Sequence, residues 1–311
     1  MKIYLPEGMR LKREENVSAM SSPLALKEAM AANQILEART LVCDSEHNLH
    51  VDLGCMRGVI ERSEGAIGID DGTVRDIALI SRVNKPVCFY IIGFFKDASG
   101  NVCARLSRKA VQIDCINEYL RSLSAGDVID AKITHLDYFG AFADVGAGVS
   151  ALLPIDSISV SRIPHPSERF SVGDAIKAVV KKIDSQGRIT LSHKELLGTW
   201  EENAALFKVG ETVAGIVRSV EDYGVFVELT PNLAGLAEVS EGVCSGQQAG
   251  VYIKSIIPER MKIKLVIVDA FNENYTSGKT RYFYNDKHID YFRYSPICCN
   301  KVVETVFGDT E

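Results

Sequence analysis

The chain has 311 residues, a net charge of −6 from 35 Lys plus Arg against 41 Asp plus Glu, and 46% hydrophobic and 24% charged residues. That length suits two or three compact units, the composition excludes a disordered or collagen-like chain, and the acidic balance excludes a polybasic protein that grips duplex by charge neutralisation alone. Without an apolar run near the ~18 residues that cross a bilayer, a secretory leader in Met1 to Arg13 or any Cys-x-x-Cys pair among the eight cysteines, it reads as a cytoplasmic protein with reduced thiols and no membrane association.

In chain order, Ser22-Pro23 ahead of Leu24-Ala25-Leu26-Lys27-Glu28-Ala29-Met30 supplies an N-cap and a first-turn proline, predicting a helix over 23–36 within an N-terminal arm of 1–37. A first barrel is expected over 38–112. The spacing of Ile116, Tyr119 and Leu120 in Asp114 to Leu123 predicts a linker helix over 113–123, followed by a second barrel over 124–194. Leu196, Leu197, Trp200 and Leu206 predict another linker helix over 195–207, its solvated face including Glu201-Glu202, followed by a third barrel over 208–269. The tail, 270–311, holds nine of the 12 Phe, 11 Tyr and 1 Trp. It reads as a hairpin of Tyr282-Phe283-Tyr284 with Ile289 to Tyr294 turning at Asn285-Asp286, plus a terminal helix in which Cys298-Cys299 packs, mainly against the third barrel.

The barrels follow from internal repetition. An offset of 84 carries Phe139, Gly140, Phe142, Asp144 and Ala151 onto Tyr223, Gly224, Phe226, Glu228 and Gly235. An offset of 92 carries Leu49-His50-Val51-Asp52-Leu53-Gly54 onto Ala141 to Gly146, putting His47 and His50 at the two aromatic positions of a degenerate first copy. Strand-length apolar runs such as Ala178-Val179-Val180 and Lys262 to Val266, punctuated by glycine in units of 60 to 75 residues, suit small closed barrels. The fold class is mainly β, with three tandem five-stranded barrels joined by short α-helices.

Segments 126–193 and 210–268 resemble the S1 RNA-binding repeat, an OB-fold barrel whose exposed patch holds two aromatics around a glycine, a histidine, and an aspartate and arginine four residues apart. The middle copy supplies Phe139-Gly140-Ala141-Phe142 and Asp184-Ser185-Gln186-Gly187-Arg188, with Pro154 at the histidine position. The third supplies Tyr223-Gly224-Val225-Phe226, with Glu238 for the histidine, Pro258 for the aspartate and Lys262 for the arginine. The whole chain is similar to three-repeat ribosomal S1-type proteins of Gram-positive bacteria. That resemblance implies translation, with single-stranded RNA (mRNA) and the small ribosomal subunit as partners; it assigns no oligomeric state.

The residues of the middle patch argue the same way. Phe139 and Phe142, three apart across a glycine, give bases two rings to stack on; Arg188 adds a cation–π or phosphate contact, and Lys181 and Lys182 follow the backbone. Tyr223, Phe226 and Lys262 form a reduced copy, and His47 and His50 a weaker one. The rival reading is a protein-docking scaffold built on degenerate repeats. Cys43, His47, His50 and Cys55 have zinc-ligand chemistry but unfamiliar spacing, so no metal or other cofactor is expected. His135 and Asp137 read as surface neighbours and Gly146-Ala147-Gly148 as a turn; with no nucleophile elbow, phosphate loop or paired carboxylates, no catalytic activity is expected.

Overall fold

In the computed structural model, which describes residues 2–272 and 280–308, strands form where the apolar alternation falls. The first barrel comprises β1 (Leu36–Cys43), β2 (Leu49–Asp52), β3 (Arg57–Ile60), β4 (Pro86–Lys96) and β5 (Val102–Ser107), closed in the order β1-β2-β3-β5-β4. The second repeats this cyclic order with β6 (Val128–Asp137), β7 (Gly140–Asp144), β8 (Ser150–Pro154), β9 (Ala175–Ile183) and β10 (Ile189–Ser192). The third does so with β11 (Thr212–Glu221), β12 (Gly224–Thr230), β13 (Leu233–Ala237), β14 (Gln248–Ile257) and β15 (Lys262–Phe271). Each barrel closes by parallel pairing of its third and fifth strands, the arrangement of an OB-like barrel without free edges.

Alternate residues fill the interiors. Leu36, Leu49, Val51, Ile60, Phe89 and Leu106 are buried in the first barrel, and Val217, Val225, Val227, Val251, Ile253 and Leu265 in the third. Each such side chain contributes about 1.5–3 kcal/mol on burial.

The chain divides into two compact units: Met1–Leu123 with Asp130–Lys132 and Asp144–Ser150, and Ser124–Ile129 with Ile133–Ala143 and Ala151–Glu311. In the first unit, helices α1 (Glu14–Ala19) and α2 (Pro23–Ala31) follow an arm anchored by two buried carboxylates. Glu7 accepts from Nε and Nη2 of Arg108 at 2.7 and 3.0 Å and lies 3.3 Å from Arg82, while Glu37 accepts from the backbone N–H groups of Gly8 and Arg10. Burial disfavours the Glu7 charge, but the two guanidiniums outweigh it and hold the carboxyl below its usual range. Asp144 faces the opposite balance. It accepts from the N–H groups of Glu7, Gly146 and Gly148 at 2.7, 2.8 and 3.0 Å, yet burial and the nearby Glu7 charge push its pKa up to about 7.

In the second unit, Glu228, which the repeat offset aligns with Asp144, is buried between two cations: Arg169 Nη2 at 2.6 Å and Arg218 Nε at 2.8 Å. Asn232 joins the pieces by donating to the carbonyls of Lys194 and Gly198 and accepting from Val160 N–H. Trp200 is buried in the third-barrel core.

Both linkers depart from the expected helices. A short α3 (Ile77–Ile80) sits within the first repeat, and α4 spans Arg108–Asp114. It starts before 113 because the Ser107 hydroxyl accepts from Ala110 N–H; the chain then passes into a π turn at Cys115–Tyr119 and a 3-10 turn at Leu120–Ser122. The predicted 195–207 helix is split into a 3-10 turn at Lys194–Leu197 and α5 at Trp200–Ala204. Gly198 has φ 85° and Thr199 makes a capping box with Glu202, so one helix ends and another begins where the apolar spacing suggested continuity.

The tail differs too. Tyr291–Arg293 pairs with Glu304–Val306, not with Tyr282 to Tyr284, and no helix follows among the described residues; Cys298 is exposed in a turn and Cys299 is buried. Tyr282, Tyr284 and Phe307 pack with Val179 and Leu196, while Tyr294 joins the third-barrel core, so the tail serves both barrels. Tyr275 lies outside the described residues.

Candidate nucleic-acid interface

The residues opposite one another across the barrel strands build the same outward row three times. In the third barrel, Ser219 pairs with Phe226, Phe226 with Leu236, Leu236 with Lys264 and Lys264 with Ser255. In the first, Val42 pairs with His50, His50 with Val59, Val59 with Arg105 and Arg105 with Gly93. In the second, Leu152 pairs with Thr190 and Thr190 with Lys182, and His135 on β6 stacks on Phe142 of β7 at 6.1 Å between ring centroids. Cross-strand partners share a face, so the alternation that buries Ala141 and Ala143 turns Phe142 outward.

At the β6–β7 turn, Phe139 is 52% exposed and meets Phe142 edge to face at 5.8 Å. Tyr223, 70% exposed, meets Phe226 in the same way at 6.1 Å. The intervening glycine is required in both copies. Gly140 and Gly224 have φ 157° and 154°, and a Cβ there would run into the carbonyl oxygen of Leu153 or Ala237. The two rings of each pair can therefore approach one surface.

A second turn positions the charge. Asp184 Oδ1 accepts from the N–H groups of Gln186 and Arg188, both at 2.9 Å, and Oδ2 accepts from Arg188 Nε at 2.7 Å. The Arg188 backbone N–H, followed by its guanidinium, holds the Asp184 carboxyl below its usual range. Asp184 thus shapes the hairpin and orients Arg188, whose side chain remains 75% exposed. Lys182 is exposed, whereas Lys181 is turned inward and donates to the buried Ser157 hydroxyl at 3.0 Å. In the third barrel Pro258 begins a 3-10 turn and Lys262 is exposed.

The first barrel is built differently at its loop. His47 occupies a left-handed turn position at φ 64° with its ring 3.7 Å from Asp76, and His50 Nε2 lies 3.0 Å from Asp44. Cys43 and Cys55 are half-buried, and among the described residues no three His, Cys, Asp or Glu side chains converge as a metal site.

Several outward positions escaped the motif reading. His135 belongs to the aromatic row, Lys264 stands in a row that Lys262 only neighbours, and Arg105 lies over Phe95 at 5.5 Å. Asp97 builds the Asp184-type turn in the first barrel by accepting from Ser99 and Asn101 N–H groups, both at 2.9 Å. The repeat offsets combined with strand pairing carry the signal for these residues.

Residues 122–194 match the S1 RNA binding domain family. A small ribosomal subunit protein bS1 of Staphylococcus aureus is 36% identical over 175 residues, covering 54% of this chain and 44% of its own length. The bS1 protein of Rhizobium meliloti is 28% identical over 226 residues, covering 71% of this chain and 38% of its own. Among solved structures, a multidomain protein with nucleic acid binding domains from Streptococcus pneumoniae aligns over 76% of this chain and 74% of its own, at 13% identity and a TM-score of 0.25. The chain spans less than half the length of the two ribosomal relatives. The matched S1 domain lies in the second barrel, and the first and third barrels repeat its strand order.

Proposed function

We propose that the chain binds single-stranded RNA, with the second barrel as its principal contact, and that it works in translation by holding mRNA at the small ribosomal subunit. The observation that carries this reading is the exposed Phe139 ring against the half-buried Phe142, extended by His135, together with an exposed Arg188 oriented by Asp184. Stacking contributes about 1–3 kcal/mol per base and is indifferent to sequence, so an acidic chain can bind RNA without a basic groove. Arg188 and Lys182 meet phosphates along the strand. Tyr223, Phe226, Lys262 and Lys264 offer a second, weaker contact. His47 and His50 contribute least, because neighbouring carboxylates already engage their rings.

The test is titration of the whole chain with a labelled single-stranded oligonucleotide at two salt concentrations, followed by fluorescence anisotropy. Each neutralised phosphate adds about −0.7 to the log–log slope on a single strand; Arg188, Lys182, Lys262 and Lys264 together set an expected slope no steeper than about −3. Absence of binding at low salt would contradict the reading and favour the protein-docking scaffold.

A further inference from the structure

Beside the two phenylalanines stands a second pair of rings that the S1 pattern does not contain. Tyr138 is 80% exposed, the most exposed aromatic side chain among the described residues, and meets His165 edge to face at 5.2 Å. Its backbone N–H donates to Asp137 Oδ1 at 2.7 Å, which fixes the turn from which the ring projects. The counterpart of Tyr138 at the 84-residue offset is Asp222, so the third barrel has no such ring.

His165 arrives on an enlarged connection. Residues 155–174 link β8 to β9 and are twice as long as 238–247, the corresponding link in the third barrel. The segment is fixed by burial of Pro166 and Phe170 and by the Arg169–Glu228 ion pair. It also holds the imidazole in a defined state. Nδ1 accepts from Ser167 N–H at 3.1 Å, so the neutral ring carries its proton on Nε2. No partner engages Nε2 or the Tyr138 hydroxyl among the described residues. The result is an open aromatic face with a hydrogen-bond donor mounted at its edge, one residue along the chain from Phe139.

We infer that Tyr138 and His165 form a second base subsite: the base of a neighbouring nucleotide on the same strand stacks on Tyr138, and its edge carbonyl or ring nitrogen accepts from His165 Nε2. This inference rests on the single-stranded RNA reading and extends it by one nucleotide. Stacking needs the ring and not the hydroxyl, while the tautomer set by Ser167 presents a donor to an acceptor-bearing base edge. The subsite also gives the second barrel a contact that the third lacks.

The test compares wild type, Tyr138→Ala, Tyr138→Phe, His165→Ala and Phe139→Ala/Phe142→Ala in the full chain, with one labelled oligouridylate and anisotropy as readout. Tyr138→Ala is expected to weaken binding about five- to a hundredfold, the range corresponding to one stacked base. Tyr138→Phe should stay within about twofold of wild type, and His165→Ala should fall between the two. Tyr138→Ala binding like wild type while Phe139→Ala/Phe142→Ala binds weakly would overturn the subsite and leave the RNA reading standing. Absence of wild-type binding would overturn both.

Discussion

The second and third barrels share a strand order, a glycine-separated aromatic pair and an outward row, yet differ at nearly every polar position around them. His135 is replaced by Ser219, Thr190 by Lys264 and Arg188 by Lys262, while the acid aligned at Asp144 and Glu228 is held by backbone N–H groups in one and between two guanidiniums in the other. The interior and the turn glycine are held by closure and close approach. The surface is free to diverge. Repetition therefore transmits a platform more faithfully than it transmits the groups that give the platform its affinity.

The electrostatic half of the contrast rests on Glu228. Glu228→Ala leaves Arg169 and Arg218 buried without their shared counter-ion and should cost about 3–5 kcal/mol. Urea unfolding followed by fluorescence of Trp200, which lies in the third-barrel core, reads this directly; a loss below about 1 kcal/mol would show that the two arginines relax to solvent.

A smaller effect is expected where the barrels agree. Gly140→Ala should destabilise the second barrel by about 1–3 kcal/mol through strain at φ 157° and collision with the Leu153 carbonyl. Gly224→Ala should do the same to the third barrel. Denaturation monitored by circular dichroism measures both, and a neutral result at Gly140 would remove the steric reason for the shared glycine.

A pH-dependent effect is expected at Asp144. Its pKa rises from 3.8 to about 7 through burial and the Glu7 charge, so its contribution to stability is fully present below pH 3.8 and is lost as pH rises towards 7. Glu7, held below 4.5, works in the other direction only as pH falls below that value. Between pH 5 and 7.5 the Tm of wild type should therefore fall more steeply than that of Asp144→Asn. Parallel profiles would mean that Asp144 titrates normally.

The three five-stranded barrels were legible because a repeat offset and a two-residue alternation are written locally. The linkers were not. Leu196 and Leu197 have helical spacing but serve a turn interrupted at Gly198, where positive φ outweighs the apolar pattern. The tail register was illegible for a similar reason: Phe283 N–H donates to the Leu196 carbonyl at 2.9 Å, a distant packing contact that no local turn signal encodes. Tyr138 and His165 lie 27 positions apart, and only the fixed β8–β9 connection brings their rings together.

Two double variants in the full chain, measured against one oligonucleotide in one buffer, test whether the second barrel dominates RNA binding. Phe139→Ala/Phe142→Ala should lose about 2–5 kcal/mol of affinity and Tyr223→Ala/Phe226→Ala no more than about 1–2 kcal/mol, with circular dichroism unchanged in both. Equal or reversed losses in folded proteins would contradict that dominance.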